Sequence, residues 1–92
     1  MANDFSGRIW KITNTGSTPN GTQNVKVSGG IWSGDTAGKT FTITDVAGRV
    51  YSWTYPADGS AVTFQNMGWL SGPLTFGGNF TVEVNLFIGT GK

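Results

Sequence analysis

The sequence predicts an all-β fold: a single antiparallel β-sandwich or jelly-roll-like domain of about seven strands. Apolar and polar residues alternate along most of the chain, as they do in half-buried strands. Glycine, asparagine, aspartate and proline interrupt this alternation at short intervals, and no window of about 11 residues has the 3.6-residue period of a helix. The 92 residues are predicted to form one domain, 1–92.

Alternation and turn residues delimit the predicted strands. We expect strands at about 6–13, 25–32, 39–44, 49–55, 61–65, 70–76 and 79–89. Pro73 lies in the sixth strand, which should be an edge strand or be broken there. The seventh should lie centrally in a sheet, and it carries an unbroken apolar face, with Phe87 as the exception. This face consists of Phe80, Val82, Val84, Leu86 and Ile88.

The second strand contains a glycine pair, and two segments have no strand pattern. Gly29 and Gly30 predict a bulge or a close approach of another backbone. Alternation places Val25, Val27 and Ile31 on one face of this strand, and Lys26, Ser28 and Trp32 on the other. Segment 14–24 is predicted to be a long polar loop and segment 1–5 a flexible N-terminal arm. Either could reach a neighbouring subunit, because disordered arms can become ordered on docking.

The turns share a short repeated pattern. DTAGK at 35–39 and DVAGR at 45–49 both read Asp-x-Ala-Gly-basic, and PADG at 56–59 is related. The aspartate side chain can accept hydrogen bonds from nearby backbone N–H groups, and the glycine can adopt the left-handed conformation of a bulged hairpin. Hairpins should therefore link the third predicted strand to the fourth, and the fourth to the fifth. We interpret Asp35, Asp45 and Asp58 as turn formers rather than calcium ligands or acid–base groups.

The composition argues against catalysis. There is no histidine and no cysteine, and the five carboxylates (Asp4, Asp35, Asp45, Asp58 and Glu83) are scattered. Catalysis near neutral pH usually needs a proton carrier, a strong nucleophile or a cluster of metal ligands. We therefore predict no enzyme, no catalytic residues, no cofactor and no metal ligands. Glycine-rich stretches such as GPLTFGG at 72–78 do not fit a phosphate-binding loop.

The charge pattern argues against nucleic-acid and membrane partners. The net charge is +1, and the lysines and arginines are dispersed rather than grouped into a phosphate-binding track. No apolar run approaches the ~18 residues of a membrane-spanning helix, and the first residues lack a signal-peptide pattern. The sequence therefore predicts a soluble chain made in the cytosol.

The aromatic and threonine rows admit several interpretations. Tyr51, Trp53 and Tyr55 share one face of the fourth strand and could form a core wall, a protein interface, or a stacking platform for a sugar or base. The alternating threonines at 40, 42 and 44 resemble an ice-binding row, but we interpret them as an ordinary solvated face.

Four motifs together resemble small virion structural proteins of tailed bacteriophages. They are WSGDTAG at 32–38, ITDVAGRVYSW at 43–53, LxGxL at 70–74 and VxVxL at 82–86. The resemblance extends from about residue 25 to residue 88. It implies a non-enzymatic β-domain located in the virion and made in the host bacterial cytoplasm. The role implied is a capsid decoration or cement protein that binds the major capsid protein or another virion protein.

The resemblance also implies a homo-oligomer, for which a trimer would suit the symmetry of a shell. Contacts should be made through aromatic side chains and β-edges. The predicted partner-binding residues are Trp10, Trp32, Tyr51, Trp53, Tyr55 and Trp69. Three alternatives remain open: a phage tail component, a carbohydrate-binding module that stacks a sugar on the row at 51–55, and a small enzyme using Asp58 and Glu83.

Overall fold

The computed structural model describes residues 3–5, 7–19, 21–57 and 60–89. Within these residues the fold is all-β, with nine strands in two antiparallel sheets and no helix, which confirms the predicted sandwich. The strands are β1 (Ile9–Ile12), β2 (Gly16–Ser17), β3 (Val25–Ser33), β4 (Thr40–Thr44), β5 (Val50–Thr54), β6 (Ala61–Phe64), β7 (Gly68–Leu70), β8 (Thr75–Gly77) and β9 (Val84–Ile88). Sheet A has the order β1-β9-β3-β6, with β7 also beside β3, and sheet B has the order β2-β8-β4-β5.

The strand pairs nest like those of one long hairpin. β4 pairs with β5 at the closed end, β3 pairs with β6 and β7, β2 pairs with β8, and β1 pairs with β9. Successive pairs fall alternately in sheet B and sheet A, and β9–β3 and β8–β4 pairing completes each sheet. This is the arrangement of a jelly roll, with β7 as an additional short strand.

The inner faces of the two sheets form one apolar core. Trp10 and Ile12 of β1 and Phe41 and Ile43 of β4 point inward, as alternation predicts. Each fully buried large side chain contributes roughly 1.5–3 kcal/mol to folding. The residues of the core that are essentially inaccessible are Ile12, Val27, Trp32, Phe41, Ile43, Tyr55, Leu70, Leu74, Phe76, Val84 and Leu86.

A bulge in β3 changes which side chains face the core. The register with β9 shifts between Val27 and Gly29, so the bulge expected at the glycine pair is confirmed. A Cβ on Gly30 would overlap the Asn85 carbonyl oxygen and the Phe64 ring, which explains a glycine there. Because the bulge inserts one residue, Trp32 faces the core and Ile31 faces outward. The predicted placement of these two side chains was therefore wrong.

The sixth predicted strand is broken at Pro73, one of the two outcomes expected. Its first residue, Leu70, ends β7 in sheet A, residues 71–74 lie in no strand, and Thr75 begins β8 in sheet B. The predicted hairpin between the third and fourth predicted strands is confirmed as β4–β5. The predicted hairpin between the fourth and fifth is wrong, because β5 and β6 lie in different sheets. Tyr55 is buried against Trp32, with ring centroids 4.9 Å apart, where the chain leaves sheet B.

The seventh predicted strand is shorter than expected but central. β9 begins at Val84 and lies between β1 and β3. Phe80 and Val82 precede it and are only partly buried against the core. The backbone N–H of Thr81 donates to the Asp35 side chain rather than to a neighbouring strand, so regular pairing starts later.

The described residues of the predicted N-terminal arm and of the predicted loop 14–24 make contacts with neighbouring strands. Asp4 forms a backbone bridge with Lys11, and the Asn3 side chain accepts hydrogen bonds from the Thr13 and Asn14 N–H groups. In the predicted loop 14–24, β2 pairs with β8 and Thr18 is buried. Residues 3–5 of the predicted flexible arm therefore contact the β1 region, whereas residues 1 and 2 lie outside the described residues.

Candidate interaction surfaces

The six aromatic residues predicted to bind a partner have different environments. Trp10, Trp32 and Tyr55 are buried in the core and present no contact surface in the single chain. Tyr51 and Trp53 are half-buried on β5, and Trp69 is 42% exposed on β7. Of the six residues, only Trp69, Tyr51 and Trp53 are accessible to a partner in the single chain, and the partner-binding prediction is retained for these three.

The largest grouping of exposed apolar side chains lies on the outer surface of sheet A. We define the A face as the side chains of Ile9, Ile31, Trp69 and Phe87, which are 49%, 38%, 42% and 41% exposed. Ile9 lies directly opposite Phe87 in the β1–β9 pair. In the β3–β9 pair, Ile31 lies opposite Asn85 and is therefore a diagonal neighbour of Phe87. Diagonal neighbours on one face are roughly 7–8 Å apart, within reach of a phenyl ring. Three of the four side chains are therefore contiguous, and Trp69 lies farther along the same sheet.

Local backbone features create the A face. The bulge in β3 turns Ile31 outward, and the extra residue Ser28 donates its hydroxyl to the Phe87 carbonyl oxygen at 3.0 Å. Gly29 has no side chain, so the Phe87 ring covers it, 3.8 Å from where a Cβ would lie. Sequence analysis missed Ile9, Ile31 and Phe87. The signal available was Phe87 itself, an aromatic residue on the polar side of an alternating strand.

The outer surface of sheet B is different. We define the B face as the outward side chains of β4, β5, β8 and β2. Most are hydroxyl residues: Thr40, Thr42, Thr44, Ser52, Thr54, Thr75 and Ser17. The hydroxyl oxygens of Ser17 and Thr75 lie 3.3 Å apart, within hydrogen-bond distance. The exposed apolar residues near this face, Val46 and Val50, lie at one end in the β4–β5 hairpin.

The remaining aromatic row lies at the edge of sheet B. Tyr51 and Trp53 stack along β5 with ring centroids 6.5 Å apart and an interplanar angle of 16°. The Trp53 ring also packs against Phe41 of β4 and Phe64 of β6, with ring centroids 5.9 Å and 4.6 Å apart. Trp53 therefore contacts both sheets. Tyr55 continues the row in sequence but is buried, so it provides no sugar-stacking platform.

Asp35 connects distant segments rather than forming only a local turn. Its carboxylate accepts hydrogen bonds from the Trp32 indole N–H at 3.0 Å, the Thr36 N–H at 2.8 Å, and the Thr81 N–H and hydroxyl at 2.9 and 2.6 Å. Burial raises the pKa of this carboxyl, but the hydrogen bonds outweigh burial and lower the pKa from 3.8 to about 2. The charged form is therefore the form that holds these segments together.

Asp45 has a comparable role in the β4–β5 hairpin. It accepts hydrogen bonds from the Arg49 N–H and the Ser71 N–H, and its Oδ2 lies 2.6 Å from Arg49 Nη2. Burial raises the pKa of the Asp45 carboxyl, but these hydrogen bonds and the Arg49 charge outweigh it and lower the pKa below its usual value. Turn formation at Asp35 and Asp45 is thus accompanied by long-range contacts that sequence analysis missed. Asp58 lies outside the described residues, so its predicted turn and its separation from Glu83 are not described.

Three further observations apply to the described residues alone. They contain no cluster of three or more histidine, cysteine, aspartate or glutamate side chains that could hold a metal ion. No ligand-sized pocket is found in the same part of the chain. Within residues 3–5, 7–19, 21–57 and 60–89, no helix is long and apolar enough to cross a membrane.

Comparison with known proteins identifies no relative. No family model matches the chain, no curated protein matches it, and no solved structure matches it.

Proposed function

We propose that this chain is a non-enzymatic structural protein of a tailed-phage virion, a decoration protein that binds the capsid shell through the A face. The observation that carries the proposal is the placement of four exposed large apolar side chains on one surface of one sheet. Large exposed apolar patches mark interaction sites, and tryptophan and phenylalanine are enriched at interfaces. The resemblance of residues 25–88 to virion proteins supplies the class of partner, the major capsid protein.

The energetics favour a protein that acts in many copies. Covering the exposed parts of Ile9, Ile31, Trp69 and Phe87 contributes about 1 kcal/mol each, since complete burial of such side chains is worth roughly 1.5–3 kcal/mol. The sum of about 4 kcal/mol only matches the low end of the roughly 4–15 kcal/mol that association costs. One A face would therefore bind weakly, and an oligomer presenting several A faces to a lattice would bind much more tightly.

The architecture is compatible with this role. Jelly rolls occur in viral capsid proteins and in lectins, so the fold alone does not choose between virion and carbohydrate functions. The burial of Tyr55 removes one member of the proposed sugar platform, and Trp53 is packed against Phe41 and Phe64. The A face is more accessible than that row and is not arranged as a cleft, which favours a broad protein surface as the ligand.

Cosedimentation with empty heads of the phage that encodes the chain tests this proposal. We expect the wild-type protein to pellet with the heads at a saturating, constant number of copies per capsid. Phe87→Ser, with Ile31→Ser as a second variant, should lower the apparent affinity at least tenfold. Val46→Ser is the matched control, because Val46 is an exposed apolar residue away from the A face. It should bind like the wild type.

Three results would overturn the proposal. One is the absence of binding to heads by a folded wild-type protein. Another is equal binding by the Phe87→Ser and wild-type chains, and a third is binding to isolated tails instead of heads. Quenching of tryptophan fluorescence by a member of a glycan panel, with no binding to heads, would favour the carbohydrate-binding alternative.

A further inference from the structure

The β5 strand presents an open backbone edge. In the β4–β5 pair, the Asp45 N–H donates to the Arg49 carbonyl, and the Tyr55 N–H donates to the Lys39 carbonyl. Residues opposite one another in an antiparallel ladder alternate between hydrogen-bonded and non-hydrogen-bonded pairs. The pairs Phe41–Trp53 and Ile43–Tyr51 are therefore hydrogen-bonded. The N–H and C=O groups of the three intervening β5 residues, Val50, Ser52 and Thr54, point away from β4.

Hydrogen bonds on the other side of β4 support this assignment of backbone directions. Thr40 receives a backbone hydrogen bond from Asn79 on its carbonyl and donates its own N–H to the Asn79 side chain. Thr40 thus directs both backbone groups toward the β8 side of the strand. Because backbone direction alternates along a strand, Phe41 directs its groups toward β5. In the described part of the chain, β5 ends the order of sheet B.

Among the residues that the structure describes, this edge lacks the features that usually prevent sheet extension. Natural edge strands are protected by charges, proline, bulges or a covering segment. The sequence of β5, VYSWT, contains no charge and no proline, and its register with β4 has no shift. Arg49, the preceding residue, pairs its charge with Asp45 of the same hairpin. Pro56 has no N–H group, so the edge available for pairing ends at Thr54.

The open edge is also self-complementary. The three outward-directed residues are centred on Ser52, so a second copy running antiparallel can place its Ser52 opposite the first. Val50 then lies opposite Thr54 of the other copy, and all three pairs are hydrogen-bonded pairs with a two-fold axis at Ser52. No charged residue lies in the paired segment of either copy, so no charge is desolvated.

The same register explains the half-exposed aromatics. Tyr51 of one copy would face Trp53 of the other in a non-hydrogen-bonded pair, in which side chains approach most closely. The Tyr51–Trp53 stack of each copy, now 6.5 Å between centroids, would continue across the axis. Aromatic cross-strand pairs are among the more stabilising contacts in antiparallel sheets.

From these observations we infer that β5 is a dimerisation edge: two copies of the chain pair through Val50–Thr54 and join their B sheets into one eight-stranded sheet. β5 is the longest edge strand in the described residues, and Asp4 already bridges the four-residue edge strand β1 at Lys11. Pairing of five residues buries less surface than a standard interface, which buries about 800 Å² per partner. The dissociation constant should therefore lie in the micromolar to millimolar range. The inference does not depend on the proposed virion function.

Sedimentation equilibrium of the purified chain over a wide concentration range tests this inference. The wild type should fit a monomer–dimer equilibrium. Ser52→Lys and Ser52→Glu should each weaken dimerisation at least tenfold, because two like charges then face each other on the axis. An equimolar mixture of the two variants should recover a dimer, since lysine now faces glutamate. This recovery requires residue 52 to lie opposite residue 52, and misfolding would not produce it.

Thr63→Lys is the matched control, because Thr63 is exposed on the β6 edge of sheet A. It should dimerise like the wild type, and circular dichroism should show every variant folded. A wild-type chain that stays monomeric at about 1 mM would overturn the inference. So would a trimer, a mixture of the two Ser52 variants that stays monomeric, or a loss of dimer in Thr63→Lys alone. None of these results requires phage heads, so they are distinguishable from failure of the proposed function.

Discussion

The two sheets bury similar inner faces, but their outer faces differ in chemistry. The A face carries Ile9, Ile31, Trp69 and Phe87, whereas the B face is dominated by threonine and serine. Under the proposed function, this difference assigns partner binding to the A face and leaves the B face facing water. Substitutions at matched positions can therefore separate residues needed for stability from residues needed for binding.

The largest effect should come from adjacent residues of β9 that point in opposite directions. Leu86 is fully buried and Phe87 is on the A face. Leu86→Ala should lower the free energy of unfolding by about 2–5 kcal/mol through lost burial and a cavity. Phe87→Ala should lower it by only about 1 kcal/mol, since Phe87 is 41% exposed and its removal leaves no enclosed cavity. Urea denaturation of both variants measures this, and equal losses would contradict the separation of inner and outer faces.

The aspartate turns extend the comparison, because one follows β3 of sheet A and the other follows β4 of sheet B. Asp35→Asn places an N–H₂ group against at least one N–H donor of Trp32, Thr36 or Thr81, which should cost about 1–3 kcal/mol. Asp45→Asn should cost less, because the Arg49 side chain with which Asp45 pairs is half-exposed and remains hydrated when the negative charge is removed. Thermal denaturation at pH 7 compares the two. A larger loss for Asp45→Asn would contradict this order.

Acid should weaken the fold through the same carboxylates. The pKa of Asp35 is about 2 in the folded chain and 3.8 ordinarily, so the unfolded chain binds a proton first as the pH falls. The contribution, at most about 2 kcal/mol, should be complete above about pH 5 and should be lost as the pH falls toward 2. Urea midpoints measured from pH 7 to pH 2 should fall more steeply for the wild type than for Asp35→Asn. Parallel profiles would show that Asp35 does not contribute.

The smallest effect should come from the B face. Thr75→Ala removes an exposed hydroxyl that contacts Ser17, and it should change the free energy of unfolding by no more than about 0.5 kcal/mol. It should not change binding to heads. A B-face variant that keeps its stability but loses head binding would contradict the assignment of binding to the A face.

Local patterns predicted much of this fold, and long-range packing determined the rest. Alternation and turn residues predicted the positions of most strands, because the period of two depends only on the strand itself. The glycine pair in β3 predicted a bulge but not which residue would be inserted, so Trp32 and Ile31 were exchanged between faces. The crossing from β5 in sheet B to β6 in sheet A coincides with packing of Tyr55 against Trp32, a long-range contact that no local pattern encodes.

The candidate surfaces were predictable to a similar degree. Of the six aromatic residues predicted to bind a partner, Trp69, Tyr51 and Trp53 remain accessible, whereas Trp10, Trp32 and Tyr55 are buried. The contact between Asp35 and Thr81 joins residues 46 positions apart, so the turn pattern at 35–39 could not reveal it. The A face required the bulge and the β1–β9 register, which are products of the whole fold.

Hydroxyl-radical footprinting of the unmodified chain, free and bound to heads, is the most direct test of the A face as the binding surface. The account predicts that oxidation of Phe87 and Trp69 falls sharply on binding, while oxidation of Val46 is unchanged. Unchanged oxidation of Phe87 and Trp69 in a bound chain, or protection confined to Val46 and the B face, would contradict it.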